Sequence, residues 1–531
     1  MKNIKYIFLG ALSLSIVSCE GFLEEKPRDE VSSSQYFARP EHARDAVNAL
    51  YRSGAPTLYQ ANGSYSGSRI MFGPYLSGFV DNEYKGQEVH VQRGQTMTHD
   101  GMNLDNYFNP MWRDMYVGVS RANNAIKYIP TTVGLSEVDA TKYLAEARFF
   151  RALNYYYLVR MFGDVPLITE PYESLENLFV SRTPAAEIYN LIVEDLEFAV
   201  NSGGLAEAAM AENSGRISKP VAQTILAEVL LTRSGAAIGQ DSYAEAAEHA
   251  RAVINSGRHS LVMHDRSSSG DLLINGSAYN KIKDRQNSIP SEFIYFYEYE
   301  VGIANNIYPS WSYPSTMSPL LAYAIANNAY APTEQLLNSY DPVNDLRIQD
   351  KQYFHSSIVL DGEVINFQKS PFMWEDQEAA YETAVSGKDM PIYTYANLLL
   401  IAAEAIAKSE GVTPEAVGYL AQIKERALWK TSSSEIRSSL AGLSTEQFVE
   451  EVWKERVREL VFEFSIWFDV MRTRKFPIVA ADGSGEINFV DAVGARNYFN
   501  GPIKEANLLF PIPEQELQRN PNLTQNPGYG N

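Results

Sequence analysis

The chain has 531 residues, with 45 Lys+Arg against 65 Asp+Glu and a formal net charge of −20. That length allows a large core and one to three domains, and 45% apolar with 21% charged residues is ordinary for a folded soluble protein. An acidic surface without a basic patch argues against nucleic-acid binding, and a single cysteine excludes an internal disulfide or a thiolate metal cluster.

The amino terminus carries the first signal. Residues 1–18, MKNIKYIFLGALSLSIVS, place Lys2 and Lys5 before an apolar run from Tyr6 to Leu14 and then small residues, the order of a secretory signal. The ending Ile16-Val17-Ser18-Cys19 resembles a bacterial lipobox, which implies cleavage before Cys19 and acylation of that cysteine. The stretch Tyr6–Val17 is short of the roughly 20 apolar residues a membrane span needs. Several acyl chains, at ~0.8 kcal/mol per buried methylene, anchor a soluble domain without one. Residues 19–36 then read as a lipidated, turn-rich tether, and 37–531 as a single folded domain.

Helical periodicity recurs along the rest of the chain. It predicts helices at Asn103–Ile129, Val138–Phe162, Ala185–Val200, Lys219–Arg233, Tyr243–Ser256, Pro391–Lys408, Thr413–Leu428 and Thr445–Arg472. In Val138–Phe162 the residues Tyr143, Ala147, Phe150, Asn154, Tyr157 and Met161 fall on one face. A faint repeat joins three of these helices: Leu144-Ala145-Glu146-Ala147, Leu226-Ala227-Glu228-Val229 and Ile401-Ala402-Ala403-Glu404-Ala405. Each opens an antiparallel pair, and YAEAAEHARAVINSG from Tyr243 resembles the second helix of a tetratricopeptide repeat. The expected fold is therefore mainly α, built of tetratricopeptide-like helix pairs with long irregular loops and a few short strands. The uneven spacing of the repeats requires insertions, placed at 53–102 and 261–330, and these are the expected binding loops.

The chain contains 33 Tyr, 24 Phe and 6 Trp, and flat rings with polar tips suit stacking on sugars or peptide groups. Trp311, Tyr313 and Tyr308, with Asn305 and Asn306, bring rings and amides together in a Pro-punctuated loop. Trp112, Trp429, Trp453 and Trp467 sit within periodic helices and are expected in the core; Trp374 is open to either reading. The run FIYFYEYE from Phe293 reads as a strand with Tyr295, Tyr297 and Tyr299 on one face. Its Glu298 and Glu300 could in principle form a glycosidase acid pair, but two exposed carboxylates are the simpler reading. There is no His-Glu-x-x-His, no Walker loop, and Gly63–Gly67 is out of register for a nucleophile elbow. His259 and His264 lack a nearby third ligand, so no catalytic residue, cofactor or metal is expected.

A set of segments in fixed order carries a family resemblance: the lipobox, RANNAI from Arg121, AEARFFRALNYYYLVRMFGDVPLI, GRISKPVAQTILAEVLLTRSG, PIYTYANLLLIAAEAIAK, WKERVRELVFEFSIWFDVMR and FPIPEQELQRNPNLTQNPGY. The chain thus resembles the SusD/RagB family of outer-membrane nutrient-binding lipoproteins. The resemblance implies a non-enzymatic receptor on the cell surface, lipid-anchored in the outer membrane, that caps a TonB-dependent, SusC-like transporter. It would capture an oligosaccharide, or in some members a peptide, for uptake; a lid with little affinity of its own is a further alternative. The resemblance also implies that aromatics near Trp311 work with polar groups of the first insertion, here Asp81, Asn82, Tyr84 and Arg93. This chain departs from that pattern in having no tryptophan in Ser53–Met102, so Tyr65, Tyr75 or Tyr84 would have to substitute. Glu24 and Glu25 are consistent with the surface-export signals of such lipoproteins.

Overall fold

The computed structural model describes residues 36–58, 75–82, 89–174, 177–284, 291–322 and 328–530. The leader, Cys19, Glu24, Glu25, the Gly63–Gly67 segment, Tyr65 and Tyr84 lie outside the described residues. The longer helices are α1 (Pro40–Ser53), α2 (Gly101–Tyr128), α3 (Glu137–Phe162), α4 (Ala185–Asn201), α5 (Lys219–Ser234), α6 (Tyr243–Asn255), α7 (Tyr395–Glu410), α8 (Pro414–Ala427), α9 (Ser433–Ala441), α10 (Thr445–Glu459) and α11 (Ile466–Thr473). Consecutive helices from α2 to α8 pack side by side, and the contact of α6 on α7 closes the array across the long insertion between them. The expected pairs α3/α4, α5/α6 and α7/α8 are all present, in a mainly helical fold.

Local chemistry explains the element boundaries. The Ser136 side chain accepts from Asp139 N to start α3, and Gly163, at φ 71°, ends it. From Ala145 to Phe162 α3 is buried on nearly every side, which is why its apolar pattern exceeds a single stripe. The three repeat glutamates share one role: each is buried and paired with an arginine. Arg216 Nε donates to Glu146 Oε1 at 3.1 Å, Arg160 Nη1 to Glu228 Oε1 at 3.2 Å, and Arg472 Nη1 to Glu404 Oε1 at 2.6 Å.

Two predicted helices need correction. Pro391–Lys408 does not begin as a helix: Met390–Thr394 is a strand, and α7 starts at Tyr395, where Asn397 N donates to Thr394 Oγ1 at 3.2 Å. Thr445–Arg472 is not continuous, because α10 stops at Glu459, a 3₁₀ turn spans Val461–Glu463, and Phe464 takes φ 55° before α11. Trp429 also differs from expectation: it follows the end of α8 and is 38% exposed, with Lys430 Nζ 4.9 Å from its ring. The α9 helix escaped periodicity, although Ser432 and Glu435 form a capping box at its start.

Ten short strands pair antiparallel in twos among the described residues: β1 (Val80–Asp81), β2 (Val165–Pro166), β3 (Arg182–Thr183), β4 (Phe293–Tyr297), β5 (Ala331–Pro332), β6 (Phe354–Leu360), β7 (Glu363–Pro371), β8 (Met390–Thr394), β9 (Lys475–Val479) and β10 (Ile487–Asp491). The pairs are β1/β5, β2/β3, β4/β8, β6/β7 and β9/β10. Of the FIYFYEYE run only Phe293–Tyr297 is strand, β4, and Glu298, Tyr299 and Glu300 lie beyond its end; bulges beside β8 shift its register and both faces are buried to Phe296.

Close helix approach gives one test. A Cβ on Gly118 of α2 would come within 2.5 Å of Gly54 O and 2.6 Å of Asn154 Nδ2, groups that are themselves hydrogen-bonded at 2.6 Å. The propensity gain of alanine in a helix is smaller than the cost of this overlap, so Gly118→Ala is expected to lose a net ~1–2 kcal/mol. Thermal unfolding checks it; an unchanged midpoint would show that α2 can move off α3 without penalty.

Candidate functional site

The two insertions meet: the Tyr75 ring stacks on Tyr330 at 6.5 Å and its Oη donates to Ala329 O. Asp81 pairs with Ala331 in the β1/β5 ladder, Thr333 Oγ1 donates to Gly78 O at 2.9 Å, and Ala329 N donates to Trp311 O at 3.0 Å. Asn328 N donates to Tyr313 O at 2.9 Å, and the Tyr308 ring stacks on Tyr330 at 5.2 Å. Tyr308, Trp311, Tyr313 and Asn306 are therefore drawn beside Asp81 and Asn82.

Their exposure corrects the expectation of open stacking faces. Tyr308, Trp311 and Tyr313 are 2%, 5% and 0% exposed, and Asn82 is fully buried. Tyr308 packs against Trp374 at 5.3 Å, and Tyr313 against His355 at 5.3 Å, with Tyr381 Oη donating to Tyr313 Oη at 3.1 Å. The buried Asn306 acts as a staple: its Nδ2 donates to Lys388 O at 2.7 Å and its Oδ1 accepts from Tyr308 N at 3.0 Å. Asp81 is half-buried and accepts from Gln95 Nε2 at 3.0 Å, while Arg93 is exposed. These rings support the loops from beneath, because an irregular backbone with few ladder bonds needs apolar packing to hold one conformation.

Partly exposed aromatic surface lies in a neighbouring cleft of about 450 Å³ between the end of α1, the turn before α5 and the end of β4. Its walls include the half-buried Tyr51, Tyr297 and Tyr299, backed by the buried rings of Phe150 and Tyr295, with Arg52 and Glu298 as the charged groups. Tyr51 and Phe150 meet edge to face at 4.7 Å, and Tyr295 and Tyr297 at 6.4 Å. The rings are fixed from behind: Tyr297 Oη donates to Pro56 O at 2.9 Å, and Ile217 N donates to Tyr51 Oη at 3.1 Å. Gly215, at φ +69°, makes room for the Glu298 carboxyl, whose carbon would lie 2.7 Å from a Cβ there. Burial, with Asp389 adding, pushes the Tyr299 phenol up to about 12, so it remains a hydrogen-bond donor at neutral pH.

This arrangement offers flat apolar faces, phenol and guanidinium donors, and one carboxylate acceptor, the chemistry that holds a polyhydroxylated ring in place. Glu298 is the only carboxylate among the residues that line the cleft, whereas glycoside hydrolysis uses two across the scissile bond. No group of three or more His, Cys, Asp or Glu suited to a metal occurs among the described residues. Tyr295, Tyr297 and Tyr299 were visible in the sequence as one strand face. Tyr51 and Phe150 were hidden within helix patterns, where an aromatic residue reads as core.

Fold and cleft together define a helical-repeat scaffold that carries irregular, aromatic-rich insertions between its repeats. Two family profiles match this chain: one described as "SusD family" over residues 367–529, the other as "Starch-binding associating with outer membrane" over residues 22–231. The SusD-like protein P2 of Formosa agariphila is 25% identical over 566 aligned residues, spanning 100% of both chains. The starch-binding protein SusD of Bacteroides thetaiotaomicron is 22% identical, over 99% of each chain. The crystal structure of a SusD superfamily protein from Parabacteroides distasonis superposes with a TM-score of 0.78 at 28% identity, covering 92% of this chain and 99% of that one. The chain belongs to the SusD-like family.

Proposed function

We propose that this protein is a lipid-anchored outer-membrane receptor that binds an oligosaccharide without cleaving it and passes it to a SusC-like, TonB-dependent transporter. The observation that carries the reading is the tyrosine-walled cleft, with its single carboxylate and single guanidinium. The starch-binding names among its relatives and the Cys19 lipobox support the same assignment. The folded receptor is a single domain from residue 37 onward, tethered through residues 19–36 and facing the cell exterior.

Tyr299 and Tyr297 stack against the sugar, and Arg52 and Glu298 take its hydroxyls. Trp311, Tyr308, Tyr313, Asn306, Asp81 and Asn82 hold the two insertions beside that cleft, with Tyr84 and Arg93 from the first insertion as further contacts for a long glycan. The test is calorimetric titration of the domain lacking Cys19 with a panel of neutral plant, microbial and host oligosaccharides. Tyr299→Ala is expected to weaken the best ligand by about 1 kcal/mol or more, without change in unfolding temperature. Ligand loss in a folded Trp311→Ala variant, with Tyr299→Ala silent, would move the site to the loops. Binding of extended peptides in place of every glycan would make this a peptide receptor, and release of reducing ends would sink the non-enzymatic reading.

A further inference from the structure

A groove of about 390 Å³ lies between α2, the 166–180 segment and the short C-terminal helix Glu514–Arg519. Four large apolar side chains that line it, Val117, Tyr172, Leu178 and Phe179, are 38–53% exposed. Such side chains scattered singly need no explanation, but gathered in one groove they mark a surface that something covers.

The walls are held without any occupant. Tyr116 Oη donates to Pro166 O at 2.8 Å, and the ring of Trp112, which forms part of the floor, lies 5.0 Å from that of Tyr116. Asn520 Nδ2 donates to Val180 O at 2.9 Å, and Asn522 Nδ2 to Phe179 O at 2.6 Å. The rim is positive. Arg113 and Arg519 are exposed there, paired with Asp114 and Glu516 of their own helices at 2.9 Å each. Surface pairs of this kind hold little energy, so both guanidinium groups can turn to another carboxylate. Glu516 is the one carboxylate among the lining residues.

The chain's own amino-terminal segment matches this surface. Residues 20–31 read EGFLEEKPRDEV, with Phe22 and Leu23 side by side and Glu20, Glu24 and Glu25 around them. Its point of entry is also close. Phe37 stacks on Tyr128 at 5.5 Å, at the end of α2, and Tyr128 Oη donates to Glu173 Oε1 at 2.9 Å, beside Tyr172 of the groove. From Tyr128 back to Trp112 is about 24 Å of helix. The chain between Tyr36 and Phe22 spans up to about 50 Å, so the groove lies well within its reach. Covalent attachment adds an effective concentration of millimolar order, which a free partner at the same surface would have to exceed.

We propose that this groove is the docking site of residues 20–31 of the same chain, with Phe22 and Leu23 seated in it and Glu24 and Glu25 turned to Arg113 and Arg519. Docking needs neither an acylated Cys19 nor a ligand in the tyrosine cleft. In the lipid-anchored receptor it has a consequence, because Phe22 follows Cys19 by about 10 Å of chain at most. The acyl chains would then hold the groove's face at the membrane, and the tether would set the orientation of the domain instead of leaving it free to swing.

The experiment uses the chain from Glu20 to Asn531, which is free of cysteine once Cys19 is removed. Leu23→Cys combined with Leu178→Cys should form a disulfide on mild oxidation. Leu23→Cys with Val359→Cys, a more exposed position outside the groove, should form it roughly tenfold more slowly. A glutamyl endopeptidase should cut after Glu24 and Glu25 about tenfold more slowly than in the Val117→Asp, Phe179→Asp double variant, which leaves the segment undocked. Both substitutions are at exposed positions, so circular dichroism should show unchanged helix content. Equal cleavage in the two proteins, or equal cross-linking at Leu178 and Val359, would overturn the assignment. So would a concentration-dependent dimer that Phe179→Asp dissolves, which would give the groove to a second copy of the chain.

Discussion

Arg347→Met is expected to destabilise the protein by about 3–5 kcal/mol, because it opens a buried ion network at its centre. Arg347 is completely buried; Nη1 reaches Glu455 Oε1 and Glu459 Oε2 at 2.7 Å each, and Nη2 reaches Asp345 Oδ2 at 2.7 Å. Glu459 is shared with Arg426 at 2.6 Å, and Arg426 holds Glu292 at 2.7 Å. The network therefore ties the 341–350 turn to α10, α8 and the residue before β4. Methionine fills most of the volume but leaves three carboxylates without the cation between them. Urea unfolding checks the prediction: the midpoint should fall at unchanged slope, since the exposed area of the unfolded chain is the same.

The same network predicts an acid limb. Burial alone would raise the Glu455 carboxyl, but Arg347 beside it holds it below the usual carboxylate range. A carboxylate whose folded pKa is depressed adds stability above its unfolded value, ~4.3, and loses it as pH falls through the folded value. The wild type should lose this contribution on acidification, and Arg347→Met should lack most of it. Equal acid sensitivity in both proteins would place the acid-labile groups elsewhere.

The buried ion pairs also show what a sequence reveals and what it hides. Alanines around Glu146, Glu228 and Glu404 disclosed the repeat, since small residues at a helix contact leave a periodic trace. That each glutamate closes a buried ion pair was not visible, because its partner comes from a different element, as Arg216, Arg160 and Arg472 do. In WKERVRELVFEFSIWFDVMR the charges Glu455, Arg456, Glu459, Glu463 and Arg472 are all buried, although such residues ordinarily mark a solvated face. The break at Phe464 was hidden for a related reason. Phe464 takes φ 55° with no glycine or proline nearby in the sequence to announce it, and its ring packs against Trp374 and Tyr330 from distant segments. At the candidate site, composition located the two insertions and the tyrosine strand. It could not tell which rings face inward, because loops lack the periodicity that sorts one face from another.

Trp374→Ala should reveal how those insertions are held. Trp374 is 3% exposed, and its ring lies 5.3 Å from Tyr308, 5.0 Å from Tyr330, 5.0 Å from Phe462 and 5.7 Å from Phe464. It thus joins the loop that carries Trp311, the residue before β5, and the turn between α10 and α11. Removing a buried indole costs about 3–5 kcal/mol, depending on how far the surroundings collapse. Here the loss should be local, since the helix array α3–α6 does not touch this ring cluster through any of those four contacts. Amide hydrogen exchange of the variant should show protection lost across 306–322 and 328–332 and retained in α3, α5 and α6. Glycan affinity should fall with it, because a recognition cleft bordered by loosened loops must order them again on binding. Uniform loss of protection through the helices would show instead that the cluster belongs to the global core, and that the insertions are fastened as firmly as the repeats that carry them.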